Sequence, residues 1–280
     1  MLRQALLNCD LHASRFFSLK IPAYIQEKYI ADGAGVYSSS DWSEARARGY
    51  REAGENTCSL DSGEAYWHRI FTTQARNVAA ALRLVKTLDL ARYPSIVEVG
   101  CGEMVQAFVV KCACPSTRYK ATDFDPYIID KCSKLSLLDP IEKGILDISQ
   151  VARADLAGFN LLIAWEVLYA LDDLKVKTLL SAAAQAGTSV LVCTTQSLGP
   201  IRRLTRGVKN LVLQTRGCSI ETQVSEGKLR MHGWNASLLH YSKLARESGM
   251  NLSRIWLPPI ASSLGDDFTY LLFTAEPSSG

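Results

Sequence analysis

The chain has 280 residues, of which 48% are hydrophobic and 21% are charged, and its formal net charge is +3. This length and composition predict a globular protein with a substantial core, and the charge is too small to indicate a nucleic acid or an anionic membrane as a ligand. The eight cysteines form no CxxC pair and accompany no histidine cluster, so we expect no metal site and reduced thiols of a cytoplasmic protein.

The N-terminal region, residues 1–63, is expected to be helical and distinct from the rest of the chain. Its first stretch, MLRQALLNCDLHASRFF, carries Asp10 and Arg15 and lacks an apolar core with a cleavage site, so no signal peptide is predicted. The longest apolar run, 159–171, is interrupted by Glu166 and is too short to cross a bilayer.

A main domain is predicted over residues 64–280, and its first element is one long amphipathic helix over 64–90. Its apolar residues recur mostly at steps of three and four: Ile70, Phe71, Ala75, Val78, Ala79, Leu82 and Val85. Short β-rich runs follow at Ser95–Val99, Arg118–Thr122, Gly144–Leu146, Leu161–Ala164 and Ser189–Cys193. Helical patterns lie between them at Met104–Cys112, Pro126–Leu135 and Leu171–Ala186. This alternation predicts βαβ units and a parallel sheet.

The C-terminal part departs from this alternation. After an insertion at 194–235, a helix is predicted at Ser237–Ser248, then strands at Leu252–Trp256 and Phe268–Thr274. The segment between the last two strands is too short for a crossover helix, so they should pair antiparallel. The predicted fold is α/β, an open doubly wound, mostly parallel seven-stranded sheet with an antiparallel C-terminal strand.

Ligands of such sheets bind outside the carboxyl ends of the strands. This rule selects 100–103, Asp123, Asp147 and 165–169 as candidate binding positions. Asp123 follows Gly100 by 23 residues, the spacing at which an acid hydrogen-bonds ribose hydroxyls. The ligand is therefore predicted to contain a nucleoside.

The glycine turn after the first strand favours a cationic ligand over a diphosphate. Glu98 and Glu103 bracket it, and two carboxylates would repel a pyrophosphate but suit an ammonium or sulfonium group. Val105 occupies the place of the third glycine of a dinucleotide fingerprint, which further weakens the dinucleotide alternative.

Four segments in order carry a family resemblance: VEVGCGE (97–103), ATDFDP (121–126), LDI (146–148) and LIAWEVLYAL (162–171). They resemble the motifs of class I S-adenosylmethionine-dependent methyltransferases, and the terminal hairpin resembles that family's reversed last strand. The resemblance covers about 76–193 and resumes from 237 to the end. It implies a methyltransferase with S-adenosyl-L-methionine as cofactor.

The resemblance also implies which residues bind the cofactor. The methionine part would lie against Glu98, Gly100, Cys101 and Gly102, and the backbone of Ala164 and Trp165 would hold its amino group. The nucleoside would be bound by Asp123 at the ribose, with Phe124 beside the adenine, Asp147 at its amino group and Ile148 on the ring. Structural alternatives stay open, since Glu98 could cap a helix and Phe124 or Ile148 could belong to the core.

Catalytic or acceptor-binding candidates are few. A hydroxyl or thiol acceptor needs a general base near the methyl group, whereas an ionised carboxylate acceptor does not. Tyr169 and Glu166 follow the fourth strand, where the family places acceptor contacts, and His232 and His68 are further candidates. Each histidine also has a structural alternative.

The acceptor is predicted to be a small molecule methylated on oxygen, less favourably on nitrogen. The [DNS]PP[YFW] motif of many amino-group methyltransferases is absent after the fourth strand, where AWEV stands. No added recognition domain or strong basic bias indicates a nucleic acid. Two alternatives remain: a protein or RNA acceptor, and a non-catalytic regulatory protein that binds the cofactor.

Two regions outside the shared core should select the acceptor. The first 60 residues, with Tyr66, Trp67 and Phe71 just after them, could form a lid over the methyl group, or these aromatics could pack a helix onto the sheet. The insertion carries basic residues that could bind an anionic acceptor or form a solvated helix face: Arg202, Arg203, Arg206 and Lys209.

Overall fold

A computed structural model describes residues 62–72, 74–148, 150–168, 171, 173–194, 238–257 and 268–275. The strands are β1 (Ser95–Val99), β2 (Arg118–Asp123), β3 (Glu142–Ile145), β4 (Leu161–Trp165), β5 (Ser189–Thr194), β6 (Met250–Trp256) and β7 (Thr269–Ala275). The helices are α1 (Gly63–Thr72), α2 (Ala75–Leu88), α3 (Val105–Ala113), α4 (Pro126–Ser133), α5 (Arg153–Leu156), α6 (Asp173–Ala186) and α7 (Leu238–Glu247). The predictions for residues 1–61 and 195–235 lie outside the described residues.

The strands form a single seven-stranded sheet in the order β3-β2-β1-β4-β5-β7-β6. β1 to β5 pair in parallel, and β7 runs antiparallel to both of its neighbours, β5 and β6. The predicted open, mostly parallel sheet with an antiparallel C-terminal strand is therefore confirmed. The last strand inserts between β5 and β6 instead of forming the edge.

Both faces of the sheet are covered by helices, as the buried runs of β1 and β4 require. One face of β1, at Ile96, packs with residues of α1 to α4. The opposite face, at Val97, packs with residues of α5 to α7. Alternate residues of each strand therefore enter different cores, so neighbouring positions at a strand end point to opposite sides of the sheet.

The predicted single helix over 64–90 is wrong, because α1 ends at Thr72 and α2 begins at Ala75. Gln74 precedes α2 with φ −104° and ψ 7°, so the helical repeat is interrupted between α1 and α2. Within α2 the buried face also differs from the predicted one, since Leu82 is 46% exposed while Ala81 and Leu84 are fully buried. β3 is also displaced, beginning at Glu142 instead of residue 144.

None of the described helices combines the length and the apolar character needed to cross a membrane.

Candidate functional site

The turn between β1 and α3 contains three residues with left-handed backbone conformation. Gly100 has φ +67° and Gly102 has φ +51°, which glycine adopts without a Cβ penalty. The third is Met104, the fully buried N-cap of α3 with φ 60°. Val105, at the place of the third glycine, is the buried first residue of α3. The turn thus holds a non-glycine residue in a conformation that costs about 1–2 kcal/mol.

Asp123, the last residue of β2, joins the glycine turn to the loop after β2. One of its carboxylate oxygens accepts a 2.9 Å hydrogen bond from the Gly102 N–H, and the other accepts a 3.1 Å bond from the Asp125 N–H. The Cys101 N–H also donates to the Thr122 carbonyl at 3.0 Å. The carboxyl ends of β1 and β2 are therefore held together at the predicted ribose position, where Asp123 is only 1% exposed.

The predicted adenine residues lie on segments that adjoin the end of β2. The Leu146 N–H donates to the Asp123 carbonyl at 3.0 Å, which brings the segment after β3 next to the end of β2. Asp147 is half-buried and accepts a 3.3 Å hydrogen bond from the Gln150 side chain. Ile148 is buried in the core on the Val97 face of the sheet, and Phe124 is half-buried.

Glu98 does not bracket the turn from outside, as the sequence suggested. It faces the same side of the sheet as Tyr119, whose hydroxyl donates a 2.9 Å hydrogen bond to Glu98 Oε2, and only 1% of Glu98 is exposed. Burial is the largest cause that raises the pKa of Glu98 to about 8; Asp123 raises it further, and the Tyr119 hydrogen bond opposes the shift. Glu98 is therefore mostly protonated at neutral pH.

The segment after β4 approaches the glycine turn from the other side. Ala164 and Trp165 are buried, and the Trp165 ring lies 5.2 Å from Phe268 and 6.0 Å from Tyr270, centroid to centroid. Val167 lies so close to Gly100 that its Cγ2 would be 2.5 Å from a Cβ built there. Gly100 is thus required both by its backbone conformation and by this contact.

Glu166 and His68 are the predicted catalytic or acceptor-binding candidates that the structure describes, and Glu166 is the one at the carboxyl edge of the sheet. It has a left-handed backbone, φ 48°, and its N–H donates to the Cys193 carbonyl at 2.8 Å. Tyr169 and His232 lie outside the described residues. His68 is exposed on α1.

A histidine that the sequence reasoning missed lies at the first turn of α7. His240 Nε2 is 2.7 Å from Asp173 Oδ1, at the first residue of α6. The neighbouring Tyr241 is buried, and its pKa is raised by burial and, to a smaller extent, by Glu166 and Asp173. Both helices begin at the carboxyl edge of the sheet, the edge that carries the predicted site. The sequence signal that could have indicated this pair was Asp173, an acid at the start of a predicted helix.

The aromatic residues of α1 contact α3. The Tyr66 hydroxyl donates a 2.8 Å hydrogen bond to the carbonyl of Glu103, and its ring meets Phe108 edge-on at 6.2 Å. Trp67 also meets Phe108 edge-on, at 5.4 Å, and is 44% exposed. Tyr66 is thus part of the core beneath the glycine turn, as the packing alternative predicts; the side chain of Phe71 lies outside the described residues.

Replacing Tyr66 with phenylalanine should lower the free energy of unfolding by about 1–2 kcal/mol, because the hydrogen bond from its buried hydroxyl to the partly buried Glu103 carbonyl is lost. Urea denaturation followed by circular dichroism measures this loss. Tyr127→Phe is the matched control, because the Tyr127 side chain is 37% exposed. An equal effect of the two substitutions would contradict a structural role for the Tyr66 hydroxyl.

No protein-family model matches the sequence, and no curated protein matches it. Solved structures do resemble it. The mitomycin 7-O-methyltransferase MmcR superposes with a TM-score of 0.51 at 17% identity, over 78% of this chain and 59% of its own. Human N-acetylserotonin methyltransferase in complex with SAM gives 0.53 at 17% identity, over 92% and 68%. The chain has the class I methyltransferase fold.

A third structure with this fold is the S-adenosylmethionine-dependent methyltransferase SibL, with a TM-score of 0.52 at 16% identity, over 98% of this chain and 75% of its own. The chain spans about three fifths of the length of MmcR. The glycine turn, Asp123 and the segment after β4, described above, lie at the carboxyl ends of β1, β2 and β4 in this fold. Among the described residues, no group of three or more His, Cys, Asp and Glu side chains could hold a metal ion.

Proposed function

We propose that the protein is an S-adenosylmethionine-dependent methyltransferase that transfers a methyl group to an oxygen of a small-molecule acceptor. The observation that carries this proposal is the position of Asp123. Its carboxylate is hydrogen-bonded to the glycine turn and its backbone carbonyl to the segment after β3, in a fold shared with methyltransferases.

The residues present suit this cofactor. Because a carboxylate can accept about four hydrogen bonds, the two backbone donors on Asp123 do not exclude ribose hydroxyls as further donors. Cys101 and Gly102 would lie against the methionine part, and Asp147 and Ile148 against the adenine. Bulk at Met104 and Val105 suits a ligand without a diphosphate better than a dinucleotide.

S-adenosylmethionine, when bound, supplies a methyl group already activated by its sulfonium. The protein then contributes mainly by orientation, aligning the acceptor oxygen with the methyl carbon and sulfur. For a hydroxyl acceptor, a side chain at the carboxyl edge must also take up the acceptor proton. Tyr169, Glu166 and His232 remain the candidates, and His240 with Asp173 joins them.

Oxygen is preferred as the methylated atom for two reasons. MmcR is a 7-O-methyltransferase, and the AWEV segment, 164–167, replaces the motif of many amino-group methyltransferases. An anionic acceptor bound by the basic insertion, 201–209, and a macromolecular acceptor both remain proposals. A cytoplasmic location is supported by the five described cysteines, none of which forms a disulfide.

Substitution of Asp123 by asparagine should weaken binding of S-adenosylhomocysteine about tenfold, because one charged acceptor for the ribose hydroxyls is lost. Isothermal titration calorimetry measures this change. Asp125→Asn is the matched control, because asparagine preserves the N-cap of α4, where Asp125 accepts a 3.0 Å bond from the Tyr127 N–H. Equal affinities of the wild type and Asp123→Asn would refute the ribose assignment.

The transfer itself is tested with S-adenosylmethionine labelled in the methyl group and with cell extract separated by molecular size. We expect label in the small-molecule fraction, and its release or retention under mild alkaline hydrolysis distinguishes an ester from an ether or amine. Label confined to macromolecules would overturn the small-molecule proposal. Binding without any transfer would favour the regulatory alternative.

A further inference from the structure

Glu98 is a buried acid whose two oxygens are unequally satisfied. Oε2 accepts the hydrogen bond from the Tyr119 hydroxyl, whereas Oε1 is buried and has no hydrogen-bond partner among the described residues. A carboxylate with a single neutral donor is poorly stabilised away from water, so this environment favours the protonated acid. The direction of the Glu98 pKa shift agrees with this geometry.

The ionisable groups around Glu98 are acids, phenols and thiols. Asp123 lies on the same face of β2 as Tyr119, and Tyr66 of α1 is close enough for Glu98 to raise its pKa. The other ionisable groups that raise the pKa of Tyr66 or Tyr119 are Cys101 and Glu103 in the turn, Cys132 on α4 and Cys193 on β5. No basic side chain of the described residues contributes to the shift at Glu98. Among the described residues, no cation near Glu98 compensates the negative charge that it carries when ionised. A bound cationic ligand could supply that charge.

We infer that Glu98 distinguishes the cofactor, which has a net positive charge, from its product, which has none: it is protonated in the unliganded protein and loses more of its proton when S-adenosylmethionine binds than when S-adenosylhomocysteine binds. This inference rests on the proposed function, which places the methionine part of the cofactor at the turn that begins two residues after Glu98.

Both ligands carry the ammonium group of the methionine part, so the cause of the difference is the one positive charge that the sulfonium carries and the thioether lacks. A cation near a buried carboxyl group stabilises its ionised form, and the low dielectric of the interior strengthens that attraction. On binding, the O–H bond of Glu98 breaks, its electron pair stays on the carboxylate and the proton passes to the buffer. After methyl transfer the sulfonium charge is gone, so Glu98 regains proton occupancy and the attraction that held the cofactor is weaker.

Isothermal titration calorimetry in phosphate and Tris at pH 7 counts the protons released on binding. S-adenosylmethionine and S-adenosylhomocysteine are titrated separately into the full chain without an acceptor. We expect S-adenosylmethionine to release more protons than S-adenosylhomocysteine, by up to about 0.8 proton, the value for a pKa that falls from about 8 by roughly two units with S-adenosylmethionine alone.

Glu98→Gln is the matched variant, because glutamine keeps an oxygen for the Tyr119 hydroxyl but does not titrate. The ligands carry amino groups of their own that titrate, and these contribute equally in both proteins. We therefore expect the excess proton release of the wild type over Glu98→Gln to be larger for S-adenosylmethionine than for S-adenosylhomocysteine. Tyr119→Phe should retain the release and move it to higher pH, because the hydrogen bond that favours the ionised acid is lost.

A second measurement does not depend on the folding of Glu98→Gln. The ratio of S-adenosylmethionine to S-adenosylhomocysteine affinity in the wild type should rise by up to about tenfold per pH unit between pH 6 and 8. Binding of both ligands with equal proton counts and a constant affinity ratio would overturn this inference and leave the proposed function standing. Failure of both ligands to bind would overturn the proposed function itself.

Discussion

Substitution of Gly100 by alanine should lower the free energy of unfolding by about 3 kcal/mol and weaken binding of S-adenosylhomocysteine more than tenfold. Two costs add at this residue. Its backbone has φ +67°, a conformation that costs an L-residue about 1–2 kcal/mol. The new Cβ would also lie 2.5 Å from Val167 Cγ2 and 3.0 Å from its Cβ, and such overpacking costs about 1–3 kcal/mol.

Gly187→Ala is the control for the backbone cost alone. Gly187 has φ +71°, nearly the same conformation, but an added Cβ would meet no atom within 4 Å. We expect this variant to lose about 1–2 kcal/mol and to keep its ligand affinity. Urea denaturation at equilibrium gives both losses, and calorimetry gives the affinities.

The double variant Gly100→Ala/Val167→Ala tests the collision itself. It removes the nearer contact atom and should therefore be more stable than Gly100→Ala alone, although the Val167 Cβ contact and the backbone cost remain. Equal losses for Gly100→Ala and Gly187→Ala would show that the turn does not press against the segment after β4. The predicted loss of affinity would then have no structural basis.

The fold was predictable because its central strands are short apolar runs separated by helical patterns. β1 was predicted with its observed bounds, Ser95–Val99, and Asp123 was placed at the end of the second strand. The break between α1 and α2 was not predictable, since the apolar residues on either side of it are spaced as in one continuous helix. The buried face of α2 was also missed, since Leu82 is exposed although its spacing fits the predicted core face, and Ala81 and Leu84 are buried instead.

The sequence predicted where the candidate site residues lie in the fold, but it did not predict that Glu98 is protonated. The rule for the carboxyl ends of strands selected Asp123 and Asp147, which the structure brings to neighbouring segments. The state of Glu98 was missed, although the signal was present: a strand buried on both faces must also bury its acid. The left-handed Met104 could not be read from the sequence, because only tertiary packing holds a non-glycine residue in that conformation.

The stability of the protein should depend on pH through Glu98. The carboxyl group of an unfolded chain loses its proton near its ordinary pKa of 4.5, whereas in the folded protein its pKa is about 8. Between these values the folded state binds more protons than the unfolded state, so the free energy of unfolding falls as pH rises, by up to about 1.4 kcal/mol per unit. Below the window both states are protonated and the contribution is constant.

Glu98→Gln removes the ionisable group of Glu98 and leaves every other ionisable group in place. Other carboxyl groups change stability with pH in both proteins, so the difference between the variant and the wild type isolates Glu98. We expect the variant to gain on the order of 4 kcal/mol relative to the wild type between pH 5 and pH 8.5, with most of the change complete near pH 8. Urea denaturation at intervals of half a pH unit measures the difference.

Tyr119→Phe supplies the opposite test of the same residue. The Tyr119 hydroxyl stabilises the ionised form of Glu98, so its loss raises the pKa and should extend the fall in stability to higher pH. Parallel stability curves for the wild type and Glu98→Gln would mean that Glu98 is already ionised in the folded protein. Glu98 would then be a carboxylate before any cation binds, and binding of the cofactor would release no proton from Glu98.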